Sequence, residues 1–391
     1  MHNASSPHPA PPGVPPLLPP FPRRARAVGA PIGVIIALGT IAGLLVILLT
    51  AVNPLGTAVG FVLSTVALSV VVLAYLWLDR FEPEPPRLLV FAFVWGASVA
   101  IVVSLILELL FGALVASDPA GASGWMTTVI AAPLVEEAAK GLFLLLMMIG
   151  RRRHELNSLT DCLVYAGLVA AGFAWLEDIF YIADGASLGD ALLTAAMRLV
   201  MAPFAHPLFT TAIGIGVYFA LHQKNVIGKV AYLLLGYLGA VLLHGLWNGS
   251  AALGFGTYLL VYVLWMVPMF GLAIGLAVGA RRREERLVAT KLPGMVSAGL
   301  VTANEASWLG SIRTRKLAVA AATRAGGKPA GKTVREFSTR VVELAFVKDR
   351  IDRGVADDRV LALFDEETQA VRWARSTTPM LQTLAEYRVT N

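Results

Sequence analysis

Charge is scarce in this chain. Only 15% of its 391 residues are Asp, Glu, Lys or Arg, where a soluble domain carries roughly 25%. Apolar residues make up 57%, which excludes an ordinary soluble enzyme. Cysteine is rarer still. The one residue, Cys162, rules out an internal disulfide and any multi-cysteine metal centre, and its apolar surroundings read as those of a packed thiol. The net charge of +6 is not a nucleic-acid footprint. It gathers in short basic clusters between apolar runs, as membrane topology requires. Lipid is the expected surrounding, and nucleic acid is not an expected partner.

The chain does have long apolar runs, and a spanning helix needs about 20 such residues. Eight candidates follow one another: 28–52, 55–78, 88–116, 126–150, 162–183, 192–221, 230–253 and 258–280. Arg23, Arg24 and Arg26 precede the first. Arg80 and Arg87, Arg151 to Arg153, Lys224 and Lys229, and Arg281 to Arg283 follow alternate spans. The intervening loops 117–125, 184–190 and 254–257 hold no Lys or Arg. This alternation predicts an all-α polytopic membrane protein of about eight transmembrane helices with both termini in the cytoplasm. Residues 1–27 are proline-rich and read as a disordered cytoplasmic tail rather than a signal peptide. Residues 28–280 form the transmembrane domain. Residues 281–391 read as a small helical cytoplasmic domain without a catalytic or nucleotide motif, interrupted at Gly326, Gly327, Pro329 and Gly331.

Ionisable residues inside spans are costly and mark function. Glu136, Glu137 and Lys140 lie within one apolar run. At spacings of four and three, either carboxylate can face the ammonium, so an ion pair accounts for one glutamate and leaves the other. Taking about 1.5 Å per residue, Glu136, Glu177, His206 and His244 fall roughly 10–15 Å below the outer face, if the sixth span starts at Arg198. Four helices of alternating direction thus bring carboxylates and imidazoles to one layer. His244 and Asn248 share a face, and such a pair suits acid–base work and oxyanion stabilisation. Trp247 between them reads as packing. Pro133 and Pro203 each stand three residues before a polar group, Glu136 and His206, and predict kinks. Arg198 is read either as a partner of these carboxylates or as a side chain reaching the outer headgroups.

Two patterns carry less. His154-Glu155 lacks the second histidine of a zinc-protease motif and sits in a basic loop. Gly121-Ala122-Ser123-Gly124 matches a short serine-protease pattern in a loop rich in small residues. An intramembrane Glu/His/Lys set serves either water activation or a cation or proton relay, so a coupled transporter is the rival reading. No internal repeat supports it.

The ordered set Glu136-Glu137-x-x-Lys140, Phe173-x-x-x-Glu177, His206 and His244-x-x-Trp247-Asn248 resembles the PrsW family of intramembrane proteases, related to the CAAX-processing (Abi) proteases. Asp79-Arg80-Phe81-Glu82-Pro83-Glu84-Pro85 is similar to a loop of its actinobacterial members. The resemblance covers about residues 55–280, and Asp178 departs from it where many members carry Asn. It implies a metalloendopeptidase of the bacterial cytoplasmic membrane that cuts membrane-anchored proteins, an anti-sigma factor in the known example. It implies Glu136, Glu137, His244 and Asn248 as catalytic, and Glu177, His206 and His244 as ligands of zinc or another divalent metal. Lys140, Phe173 and Trp247 would support them. A metal-free variant, with glutamate and histidine activating water, stays open.

Overall fold

A computed structural model describes residues 32–115, 123–149, 152–354 and 358–387. The proline-rich segment 1–27, the first basic cluster, and Gly121 and Ala122 of the Gly-Ala-Ser-Gly pattern lie outside the described residues. All regular structure among the described residues is helical. The first three spans are α1 (Ile32–Val52), α2 (Pro54–Leu78) and α3 (Pro86–Leu114). Next come α4 (123–149) and α5 (Leu159–Ala183). The broken sixth span is α6 (188–201) and α7 (Ala205–Leu221), followed by α8 (Val226–Ala252) and α9 (Phe255–Ser297).

Seven of these segments are long and apolar enough to cross a membrane, with α6 and α7 counted as one. The eighth, α4, carries Glu136, Glu137 and Lys140, and their charge rather than its length sets it apart. The bundle is a multi-pass membrane protein. Large apolar side chains such as Leu44, Ile47, Leu73, Leu242 and Leu272 project outward from α1, α2, α8 and α9. A belt this large is a lipid-facing surface.

The central helix is α5, buried along nearly its whole length. It starts with a capping box in which Ser158 and Asp161 satisfy each other's backbone N–H groups. Gly96 on α3 and Gly172 on α5 let the two backbones touch. A Cβ at either would collide with a carbonyl, of Val169 or of Phe93. Close approach through small residues is how membrane helices pack without a hydrophobic driving force.

The two prolines have different outcomes. Pro133 leaves α4 continuous but widens the preceding turn, Thr127–Ala131, into a π turn. Pro203 breaks the sixth span outright between Met201 and Ala205, rather than kinking it. Tyr258 and Tyr262 of α9 donate hydroxyls to the carbonyls of Met197 (3.3 Å) and Met201 (2.9 Å), satisfying backbone oxygens beside the break.

At the basic end α9 continues past Ala280 without interruption to Ser297, and the C-terminal helices follow after a turn at Gly299. These are α10 (Ala303–Leu309), α11 (Ile312–Asp352), α12 (Asp358–Ser376) and α13 (Met380–Thr383). The expected break in α11 is real: Gly326 and Gly327 leave helical geometry, Gly327 with φ +76°. The unit packs around Trp308, Phe337, Val341 and Phe346, and Phe81 from the loop 79–85 inserts into the same core.

Candidate active site

Glu136, Glu137 and Lys140 lie on the inward face of α4, and all three are buried. The Lys140 Nζ stands 2.9 Å from Glu136 Oε2, 2.9 Å from Glu137 Oε1 and 3.1 Å from His206 Nδ1. The Phe173 ring lies beneath it, 3.8 Å from Nζ to centroid, a cation–π contact in a dry setting.

An ammonium has donors only, so His206 Nδ1 accepts and its proton sits on Nε2. That nitrogen faces Glu177 Oε2 at 2.7 Å. Glu177 therefore fixes the tautomer and tilt of His206 from behind. Arg198 holds Glu177 in turn (Nη2 to Oε2, 2.5 Å) and reaches Asp178 through Nε (2.5 Å). Of the two readings of Arg198, the structure takes the carboxylate one. His206 occupies the first turn of α7, directly after the Pro203 break.

His244 on α8 places Nδ1 3.2 Å from Glu137 Oε1 and 4.0 Å from Glu136 Oε2. Phe209 stacks on its ring at 4.8 Å. Thr210 donates to Glu137 Oε2 at 2.8 Å, so both Glu137 oxygens are engaged. Glu136 differs. Among the described residues its Oε1 has no protein hydrogen bond, and the side chain lines a cleft of about 550 Å³. Glu108, Glu177, Tyr181 and Asn248 line the same cleft. Asn248 donates one amide hydrogen to the Thr128 carbonyl (3.0 Å), in the π turn that Pro133 widens. Trp247 turns away and packs on Tyr258 (ring centroids 4.7 Å apart).

Glu136, Glu137, His206 and His244 each offer a ligand atom, and these atoms lie within 4.8 Å of one another. Two carboxylates and two imidazoles are a donor set that suits zinc. His206 presents a lone pair to that set while Glu177 anchors its other nitrogen, the usual support for a metal-binding imidazole. The set could hold a metal, in direct competition with the Lys140 ammonium for three of the four donors. Glu177 stands behind His206 rather than in the set.

Sequence reasoning did not find Thr210 or Phe209. Thr210 is four residues after His206 and so shares its face, a signal that was present.

The model of the PrsW family intramembrane metalloprotease matches residues 84–273. Over these residues, just under half of the chain, it is similar to the PrsW family. It is similar to the Protease PrsW of Geobacillus kaustophilus, 27% identical over 184 residues, which is 47% of this chain and 76% of that protein. It is also similar to the Protease PrsW of Oceanobacillus iheyensis, 25% identical over 209 residues, 54% of this chain and 90% of that protein. No solved structure matches. The PrsW stretch contains every residue of the candidate site and ends before α10 to α13. These relatives favour intramembrane proteolysis over transport.

Proposed function

We propose that the chain is an endopeptidase of a bacterial cytoplasmic membrane that cuts membrane-anchored proteins, with Glu136 activating the attacking water. The supporting observation is the asymmetry of the two glutamates. Glu137 is held by Lys140, His244 and Thr210, whereas Glu136 keeps one oxygen toward the cleft. A general base must reach its water, and of the two adjacent glutamates only Glu136 lines the cleft.

Glu136 removes a proton from water, the hydroxide attacks the scissile carbonyl, and the same carboxyl returns the proton to the leaving amine. Lys140 holds the other Glu136 oxygen and fixes its direction. Asn248 lines the same cleft, and its remaining amide hydrogen, with His244 beside Glu137, would serve the oxyanion. Glu136, Glu137, His206 and His244 are the residues that would hold a divalent metal, and a metal there supplies Lewis acidity toward water or carbonyl. An anti-sigma factor is one substrate of the proposed class.

The test uses the purified protein in vesicles with single-span reporter proteins. Glu136→Gln should lower the cleavage rate by about 10²–10⁴-fold while still capturing substrate. Cleavage at the wild-type rate by that variant would sink the reading. Membrane proteomics of cells carrying Glu136→Gln should show the uncut substrates accumulating.

A further inference from the structure

At the basic end of the bundle, the loop 79–85 and α11 enclose a second cavity of about 790 Å³, apart from the cleft that holds Glu136. Five of its lining side chains are cationic, Arg80, Arg315, Lys316, Arg324 and Arg335, against one carboxylate, Glu82. The rest of the lining is largely apolar, with Phe81, Ile312, Val319 and Val342. The cavity is therefore amphipathic, and its charge is almost all of one sign.

Arg315 is the telling residue. Its guanidinium lies over the Phe81 ring at 4.4 Å. Its Nη2 is 3.5 Å from the Phe81 carbonyl, at the limit of a hydrogen bond. Its Nε is buried with no partner. Glu285 is the acidic group it feels, yet the two form no ion pair among the described residues, and burial lowers the Arg315 pKa to about 10. Other arginines of the same helical unit are paired: Arg340 with Glu343 at 2.7 Å, Arg353 with Asp349 at 2.6 Å, Arg375 with Glu305 at 2.5 Å. The side chain as a whole is half-buried, but a charged donor such as this Nε costs free energy when it is kept from both water and a partner. A fold that keeps one beside four further cations has left room for an anion.

The apolar wall says what kind. A free inorganic anion would use the arginines and leave Phe81, Ile312 and Val342 uncovered. A phosphate ester with an apolar body would use both. The groove also lies close to the bilayer. Arg80 follows α2 by two residues, and Arg281 stacks on Trp77 at 4.2 Å where α2 and α9 leave the apolar belt. The alternation of basic loops assigns this end to the cytoplasm, where the leaflet is anionic.

We propose that this groove binds an anionic phospholipid of the adjacent leaflet, with the phosphate toward Arg315 and Arg80 and the apolar part along Phe81. Bound lipid would bridge the loop and α11, tying the C-terminal helices to the membrane surface. The inference is independent of the proteolytic reading.

The test uses the full chain in neutral maltoside micelles, with thermal unfolding followed during titration. Dioctanoyl phosphatidylglycerol should raise the unfolding midpoint saturably, and dioctanoyl phosphatidylcholine should not. Arg315→Gln should weaken the response at least tenfold. The double variant Arg324→Gln/Arg335→Gln, at two exposed positions, should do the same and keeps the test alive if Arg315→Gln fails to fold. Arg359→Gln, exposed on α12 away from the groove, should change nothing. An equal response to phosphatidylcholine would overturn the proposal, as would equal weakening by Arg359→Gln, which would mean diffuse attraction to the basic surface. Saturation by inorganic phosphate at equal or lower concentration would overturn the assignment to a lipid.

Discussion

Removing Lys140 would take from the buried Glu136 and Glu137 the ammonium that both of them contact. Breaking a buried ion pair from one side costs about 3–5 kcal/mol. Lys140→Met should therefore lower the unfolding midpoint clearly. Because the lost ammonium shares its place with the metal-capable donors, added zinc should restore more stability to this variant than to the wild type. Equal zinc responses would show that ammonium and metal do not compete. Thr210→Val removes one hydrogen bond to a buried carboxylate, worth about 1.5–3 kcal/mol, and should cost that much in thermal unfolding. The charged members of the site were legible because charge in an apolar run is conspicuous and because spacings of three and four set a common face. Thr210 was not, since a membrane threonine most often bonds back to its own helix, as Thr211 does with the Pro207 carbonyl at 2.7 Å. Nor could spacing show that Glu177 would stand behind His206, because the two belong to different helices.

At the scale of elements, α4 and α8 meet through Gly245. A Cβ there would lie 2.9 Å from the Val129 carbonyl, a backbone atom that cannot step aside. Pro133, lacking an N–H, is what denies that carbonyl its ordinary helical partner. Gly245→Ala should push α8 outward and displace His244 and Asn248 from Glu136. We expect at least a tenfold loss of cleavage rate with a stability cost of about 1–3 kcal/mol, measured on the same preparation. Tyr262→Phe should destabilise by about 1–3 kcal/mol by orphaning the Met201 carbonyl. Most spans were readable to within a few residues, since length and hydropathy decide them. The break at Pro203 was not. Whether a proline bends or severs a helix depends on partners for the freed carbonyls, and those come from α9, far along the chain.

Between the membrane bundle and the C-terminal helices lies the loop 79–85, which carries the buried acids Asp79 and Glu84. Burial pushes Asp79 up to about 7 and raises Glu84 well above the ordinary carboxylate range, even though Glu84 accepts a 2.6 Å bond from Tyr165. A carboxyl with a raised folded pKa binds its proton more tightly when folded, so its contribution is full below about pH 4 and is lost as pH rises through the folded value. The unfolding midpoint should fall between about pH 4 and 7, by up to about 1.4 kcal/mol per pH unit for each such group. Asp79→Asn should flatten part of that slope, and a flat wild-type profile would refute the account. Helix and break were legible in the C-terminal region, but the docking of Phe81 into its core was not. That contact joins residues more than two hundred apart, for which periodicity gives no signal.

The ring of partners around α4 also constrains how the chain is made. Lys140 finds both glutamates within its own helix as soon as that helix forms. His206 is 66 residues later, and the partnership of Glu137 with His244 spans 107. During synthesis α4 must therefore enter the lipid, or wait beside the insertion machinery, before either imidazole exists. The lysine acts first as an escort that lets two acids into the bilayer, and only afterwards as part of the site they form.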